Sequence, residues 1–215
     1  MEAKPDFKNM PTGKKIEYVW DYYRFHIMGI IILVITLGSI IHHYATLKTV
    51  VLDMIFLNAY TVENDDVPFE QFLIEQGYDP NDYQVYLTTS LSFALTEDGY
   101  QADYTTLQAI SAMFSTGEVD VFAMPPQIFG EYASAGYTLD LSTVFTEDEL
   151  ASYSDRLVYS TLSETGESFP SALNLNGCDW LEESGFYAGD YYMAITVYSD
   201  SPELTKEFLL YILEY

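Results

Sequence analysis

Cysteine is almost missing from this chain: Cys178 is the only one in 215 residues. A single thiol closes no internal disulfide and builds no Cys-x-x-Cys metal or redox motif. Histidine is equally sparse, with His26, His42 and His43 gathered at one apolar stretch and none beyond it. A Ser-His-Asp triad and a His-based zinc site are thereby excluded from the C-terminal portion. No Gly-rich phosphate loop occurs, and no internal repeat or low-complexity linker is visible.

Positive charge is the other scarcity. The eight basic residues stand against 33 acidic ones, for a net charge of −25, and five of the eight precede residue 27. From residue 49 to the end, 29 acidic residues face only Arg156 and Lys206, a net of −27. Such a surface repels nucleic acid, because phosphate binding needs clustered Lys and Arg. It repels anionic headgroups and anionic ligands for the same reason. Cations, cationic peptides and neutral solutes are the partners left.

Apolar residues are plentiful, at 49%, with 20 Tyr and 13 Phe. That composition argues against disorder and for one globular domain plus an anchor. Residues 27–41 carry no charge, and with residues 25–26 and 42–47 they make a stretch long enough to cross the hydrocarbon core as a helix. Tyr18, Trp20, Tyr22 and Tyr23 precede it and Tyr44 follows it, in the manner of interfacial aromatic belts. A cleavable signal peptide fits less well, since about 24 residues precede the apolar run and no small-x-small cleavage site follows it. The expected partition is a basic cytoplasmic segment over 1–24, a transmembrane helix over 25–47 and an acidic domain over 48–215. Lys14, Lys15 and Arg24 against Lys48 place the N-terminus in the cytoplasm and the domain outside the cell membrane.

Along the domain, residues 49–60 are rich in β-branched and aromatic side chains and predict a strand. Residues 63–68 read as a turn leading into a helix with Pro68 in its first turn, Phe69, Phe72 and Leu73 on one face, and Gly77 at its stop. After a turn at 79–82, residues 83–90 predict a second strand. Residues 96–99 read as a loop. Asp103 is placed to cap a helix carrying Leu107, Ile110, Met113 and Phe114, which Gly117 ends. A third strand follows at 119–124, then a short helix over 127–135. Thr146 with Glu149 has the capping-box pattern. Residues 163–189, rich in Gly, Ser and Asn, read as loops. Residues 191–198 predict the last strand, and Ser201-Pro202 open the last helix. Alternation of this kind predicts an α/β fold with one mostly parallel sheet covered by helices on both faces.

Three passages resemble a known family. They are Leu107 through Met124 with its Gly117-Glu118-Val119-Asp120 turn, Phe129 through Ser142 with Gly136 and Leu139-Asp140-Leu141, and Tyr192 through Leu213 with Ser201-Pro202-Glu203 and Phe208-Leu209. They are similar to the extracytoplasmic solute-binding proteins of bacterial ABC importers, the type II periplasmic-binding fold. The resemblance implies solute capture and covers about residues 49–135 and 190–213. Residues 136–189 are too few for the family's second lobe, so it implies a single lobe carried on a helix.

In open α/β sheets, ligands sit at the carboxyl ends of the strands. That rule selects Asn58, Tyr60, Thr61, Thr89, Ser90, Met124, Pro125 and Gln127 as candidate ligand-binding residues. No catalytic group, metal site or cofactor is implied. The acidic groups at 63–66, 79–82 and 146–149 lack EF-hand spacing and read as solvated turns and caps. The expected function is a non-enzymatic, membrane-anchored binding domain for a partner protein or a small neutral or cationic solute. The alternative is a structural accessory subunit of a membrane transport or cell-envelope complex. Gly29 and Gly38 are too far apart to make a GxxxG dimer face in support of that alternative.

Overall fold

The structure, a computed structural model, describes residues 11–60, 62, 67–97, 99–117, 119–187 and 189–215. The expected turn at 63–66, candidate Thr61 and the first ten residues of the basic segment lie outside that set. The chain divides into two compact units after Leu47.

The first unit is one helix, α1, Thr12–Ala45. Within it Val19–Ala45 is long and apolar enough to cross a membrane, with none of its apolar window buried against protein. A signal sequence meets the same criterion of length and composition. Ile30 to Ile35 are each more than half exposed, and moving such side chains out of water stabilises by about 1.5–3 kcal/mol apiece. The Thr36 hydroxyl in this stretch donates to the Ile32 carbonyl at 2.9 Å, so it carries no unpaired donor into an apolar medium. At the C-terminus Thr46 satisfies the last carbonyls, donating from its amide and its hydroxyl to His42 and His43. Helical structure therefore begins well before residue 25, the start set by apolarity.

The second unit is α/β. Its elements in order are β1 (Thr49–Phe56), α2 (Val67–Glu75), β2 (Tyr83–Thr88), β3 (Ala94–Thr96), β4 (Gly99–Gln101), α3 (Tyr104–Thr116), β5 (Val121–Met124), α4 (Pro126–Ser134), α5 (Glu147–Ser152), β6 (Leu157–Thr161), β7 (Ser168–Asn174), α6 (Asp179–Ser184), β8 (Tyr192–Ile195) and α7 (Pro202–Glu214). Six strands form one sheet in the order β2-β1-β5-β8-β7-β6, and β3 with β4 makes a separate hairpin. The β1–β2 and β1–β5 pairs are parallel. The β5–β8, β8–β7 and β7–β6 pairs are antiparallel. The sheet is thus mixed, and the expected mostly parallel sheet is corrected.

The cause is a segment that composition hides. Residues 163–174, read as loop, hold a hairpin turn and all of β7. The turn closes through Leu162 N–H to Glu167 O at 3.0 Å and Gly166 N–H to Leu162 O at 2.8 Å, with Gly166 at φ 72°. Tight turns join antiparallel strands, so β6, β7 and β8 meander back across the sheet. Pro170, which argues against a central strand, sits opposite Tyr159 beside a register irregularity where a missing donor is tolerated. The buried Ser171 hydroxyl is paired with Ser160 at 2.7 Å and lies 3.1 Å from Val158 O. Residues 179–184, also read as loop, form α6.

Alternation along the strands divides the core in two. Leu52, Met54 and Phe56 of β1, with Val121, Ala123, Met193 and Ile195, face α2, α6 and α7. Ile55, Leu57, Phe122, Met124 and Ala194 face α3 and α4. The first face is aromatic: Phe72 meets Phe208 at 5.1 Å, and Trp180 stands perpendicular to Phe208 at 5.8 Å. The Trp180 indole N–H reaches Pro68 O at 3.3 Å, so its one polar atom is satisfied. The caps follow the sequence: Asp103 accepts from Thr106 N–H at 2.7 Å, Gly117 ends α3 at φ 72°, and Thr146 with Glu149 forms the full capping box. At Ser201 the expected side-chain cap is replaced by its carbonyl, which takes the Thr205 amide and hydroxyl, each at 2.9 Å.

Candidate functional site

The carboxyl ends of β1 and β5 are closed by side chains rather than by more sheet. After Phe56 the chain turns through Asn58 at φ 58°, a left-handed conformation that Asn tolerates better than most residues. The Asn58 amide then imitates a strand: Nδ2 donates to Phe93 O and Oδ1 accepts from Phe93 N–H, both at 2.8 Å. The Tyr187 hydroxyl lies 3.3 Å from the carbonyls of Leu57 and Ala123, tying the ends of the two strands together. Its ring stacks on Phe56 at 5.6 Å and on Tyr191 at 3.4 Å.

Tyr191 leads outward from this buried pair. Its hydroxyl is 3.4 Å from Asn58 O. Burial, with the nearby phenols of Tyr60 and Tyr100 adding to it, pushes its pKa up to about 12. Tyr60, held by its own N–H to Phe186 O at 2.7 Å, is 59% exposed. The result is a wall of tyrosine side chains, from buried Tyr187 to exposed Tyr60, in a domain crowded with carboxylates.

The sequence-selected residues fall at this end of the fold but play unequal parts. Asn58 commits its side-chain amide to Phe93 and its own N–H to Leu91 O at 3.1 Å. Met124 is wholly buried and Pro125 is buried beside it, so neither offers surface. Thr89 is half-buried, while Ser90 and Gln127 are exposed. Among the described members of the set, Tyr60 alone belongs to the tyrosine wall. Tyr100, Tyr187 and Tyr191 were not selected. Tyr100 comes from β4, and the signal for Tyr187 and Tyr191 was the aromatic density before β8, which reaches this end only because β8 starts opposite Met124, antiparallel to β5.

A cavity of about 280 Å³ lies at the same end, and Cys178, Glu182 and Tyr187 help to line it. Cys178 is no ready nucleophile: burial pushes its thiol up, and Arg156, 3.4 Å away, offsets that only in part. Arg156 Nη1 also lies within hydrogen-bond reach of Asn174 O at 3.2 Å and Asn176 O at 3.0 Å, bracing the turn into α6. The domain's other cation after residue 48, Lys206, is mostly buried among Glu149, Glu203 and Glu207 at 3.5–3.8 Å. Arg156 and Lys206 are thus engaged by internal partners, and the many remaining carboxylates set the domain's potential. Among the described residues, no group of three or more His, Cys, Asp or Glu side chains is placed to hold a metal ion.

At the opposite end, where β5 begins, the buried Asp120 accepts from Asp53 N–H at 2.9 Å and from the Ser199 hydroxyl at 2.5 Å. Burial raises its pKa, and those hydrogen bonds work against the rise.

Comparison with known proteins gives no matching family model, no similar curated protein and no similar solved structure.

Proposed function

We propose that this chain is a membrane-anchored, non-enzymatic binding module that captures a positively charged ligand at the tyrosine wall. In this reading Val19–Ala45 is an uncleaved anchor, the basic N-terminal segment stays in the cytoplasm and the acidic domain faces outward. The resemblance of three sequence passages to solute-binding proteins enters this reading only as an expectation about the position of the site, at the carboxyl ends of the parallel strands.

The observation that carries the reading is the company of Tyr60, Tyr100 and Tyr191 in a domain where Arg156 and Lys206 are already held by internal partners. The faces of tyrosine rings attract ammonium and guanidinium groups, by about 0.5–2 kcal/mol each depending on desolvation. The surrounding carboxylates raise the local concentration of such groups and repel anions. Burial moves the Tyr191 phenol still further above physiological pH than an ordinary tyrosine.

The test uses the full chain in lipid nanodiscs. Titration with tetramethylammonium, an arginine-rich peptide, glucose and citrate, read by tyrosine fluorescence and calorimetry, separates the ligand classes. The two cationic probes are expected to bind, and Tyr60→Ala and Tyr191→Ala to weaken them. Equal binding of citrate, or cation affinity unchanged in both variants, would remove the proposal.

A further inference from the structure

We propose that the open edge of β1 at residues 49–52 receives an extended, lysine- or arginine-bearing segment of a partner protein by strand addition, at a site separate from the tyrosine wall.

The sheet is unfinished there. β1 pairs with β2 from Thr49 to Ile55, but its pairing with β5 begins only at Met54. Asp120 closes that ladder: its carboxylate takes the Asp53 N–H at 2.9 Å and its own N–H reaches Asp53 O at 2.8 Å. Among the described residues no strand lies beside residues 49–52 on this side. Val51 stands apart further still. The β1–β2 register passes from Val50↔Gln84 to Leu52↔Val85, leaving Val51 as a bulge residue with no partner across the ladder. An unfilled groove of about 540 Å³ runs here, lined by Val50, Val51, Asp53, Tyr86, Asp120 and Asp200. Four residues of strand span about 13 Å, room for an incoming strand of similar length.

Natural edges are usually protected by Lys, Pro or a covering loop. Thr49, Val50, Val51 and Leu52 offer neither Lys nor Pro, and Val50 and Tyr86 are about half exposed, at 45% and 50%. Backbone pairing would supply affinity and the groove would read alternate side chains. Charge selects the occupant. Asp200 is exposed at the rim, and both cations that follow residue 48 are held in internal contacts. A second copy of this chain would bring another strongly acidic domain, with a net charge of −27 over residues 49–215, to the same edge, which disfavours self-pairing. A basic extended segment meets both the edge and the field.

The test uses the full chain in nanodiscs and a fluorescent peptide of alternating lysine and valine. Its comparators are the same peptide with alternate backbone amides methylated, and a glutamate–valine peptide. The unmodified lysine peptide is expected to bind, more weakly as salt rises. The methylated form, with the same charge but one edge blocked, should lose binding. Asp200→Lys should weaken the lysine peptide by about tenfold or more. Val51→Pro should abolish the part of the binding that amide methylation removes, with circular dichroism checking the fold, and Tyr191→Ala should leave that methylation-sensitive part unchanged. Failure at the tyrosine wall is therefore distinguishable from failure here. Equal binding of the methylated peptide, no effect of Asp200→Lys, or no binding of the lysine peptide overturns the proposal.

Discussion

The two ends of the parallel strands are finished in opposite ways. At the carboxyl end, one amide and one phenol complete what the sheet leaves open: Asn58 clamps Phe93, and Tyr187 joins Leu57 to Ala123. At the amino end a single carboxylate, Asp120, stops the β1–β5 ladder and leaves residues 49–52 of β1 paired with β2 on one side only. The first end is walled by aromatic side chains, and the second is an edge beside which no strand lies among the described residues. In the two readings proposed above, one sheet would serve two kinds of recognition, one made by side chains and one by backbone.

Substitutions should break the carboxyl end hardest. Asn58→Ala removes both clamp hydrogen bonds and leaves a Cβ residue at φ 58°. A loss of about 3 kcal/mol is expected in chemical denaturation. Asn58→Gly should recover about 1 kcal/mol of it, because glycine accepts that backbone conformation. Hydrogen exchange at Leu91 to Phe93 should accelerate in both.

At the amino end Asp120→Ala strands the Asp53 N–H and the Ser199 hydroxyl. About 2 kcal/mol of destabilisation is expected by the same measurement. Tyr187→Phe keeps the ring stack and removes only the hydroxyl at the two carbonyls, for a loss of about 1 kcal/mol. The two ends would then differ in kind as well as size, a polar plug against an aromatic wall.

The smallest effect is one of pH. Burial raises the Asp120 carboxyl above its ordinary 3.8. A raised folded pKa favours the folded state most below the unfolded value, and that advantage is lost as pH rises through the folded one. Asp120→Asn should therefore compare better with the parent protein at about pH 7 than at about pH 3, below the carboxyl's ordinary range. Denaturant midpoints at the two pH values measure it; an equal difference at both would show that Asp120 is not desolvated.

Much of this fold was legible because its signals are local. Asp103 and Thr146 announce helix starts, Gly77 and Gly117 announce stops, and the alternation of Leu52, Met54 and Phe56 with Ile55 and Leu57 announces a strand buried on both faces. The direction of β8 is not a local property. It follows from the hairpin at Leu162 to Glu167, whose strand partner contains Pro170 and the buried Ser171, residues that read as loop until Ser160 and the register irregularity accommodate them. The site suffered the same blindness. Tyr60 was legible from the end of β1, whereas Tyr187 and Tyr191 arrive from the far side of the sheet through that unseen reversal.

Orientation is the claim on which the proposed role rests, and one labelling experiment reaches it directly. Cys178 is buried with its thiol pushed up, so it should stay silent toward a membrane-impermeant maleimide. Glu164→Cys, at the exposed β6–β7 hairpin, and Thr12→Cys, at the exposed start of α1, then report the two sides separately. Intact cells should label Glu164→Cys at once and Thr12→Cys only after the membrane is opened. Labelling of Thr12→Cys in intact cells, with Glu164→Cys protected until lysis, would contradict the account.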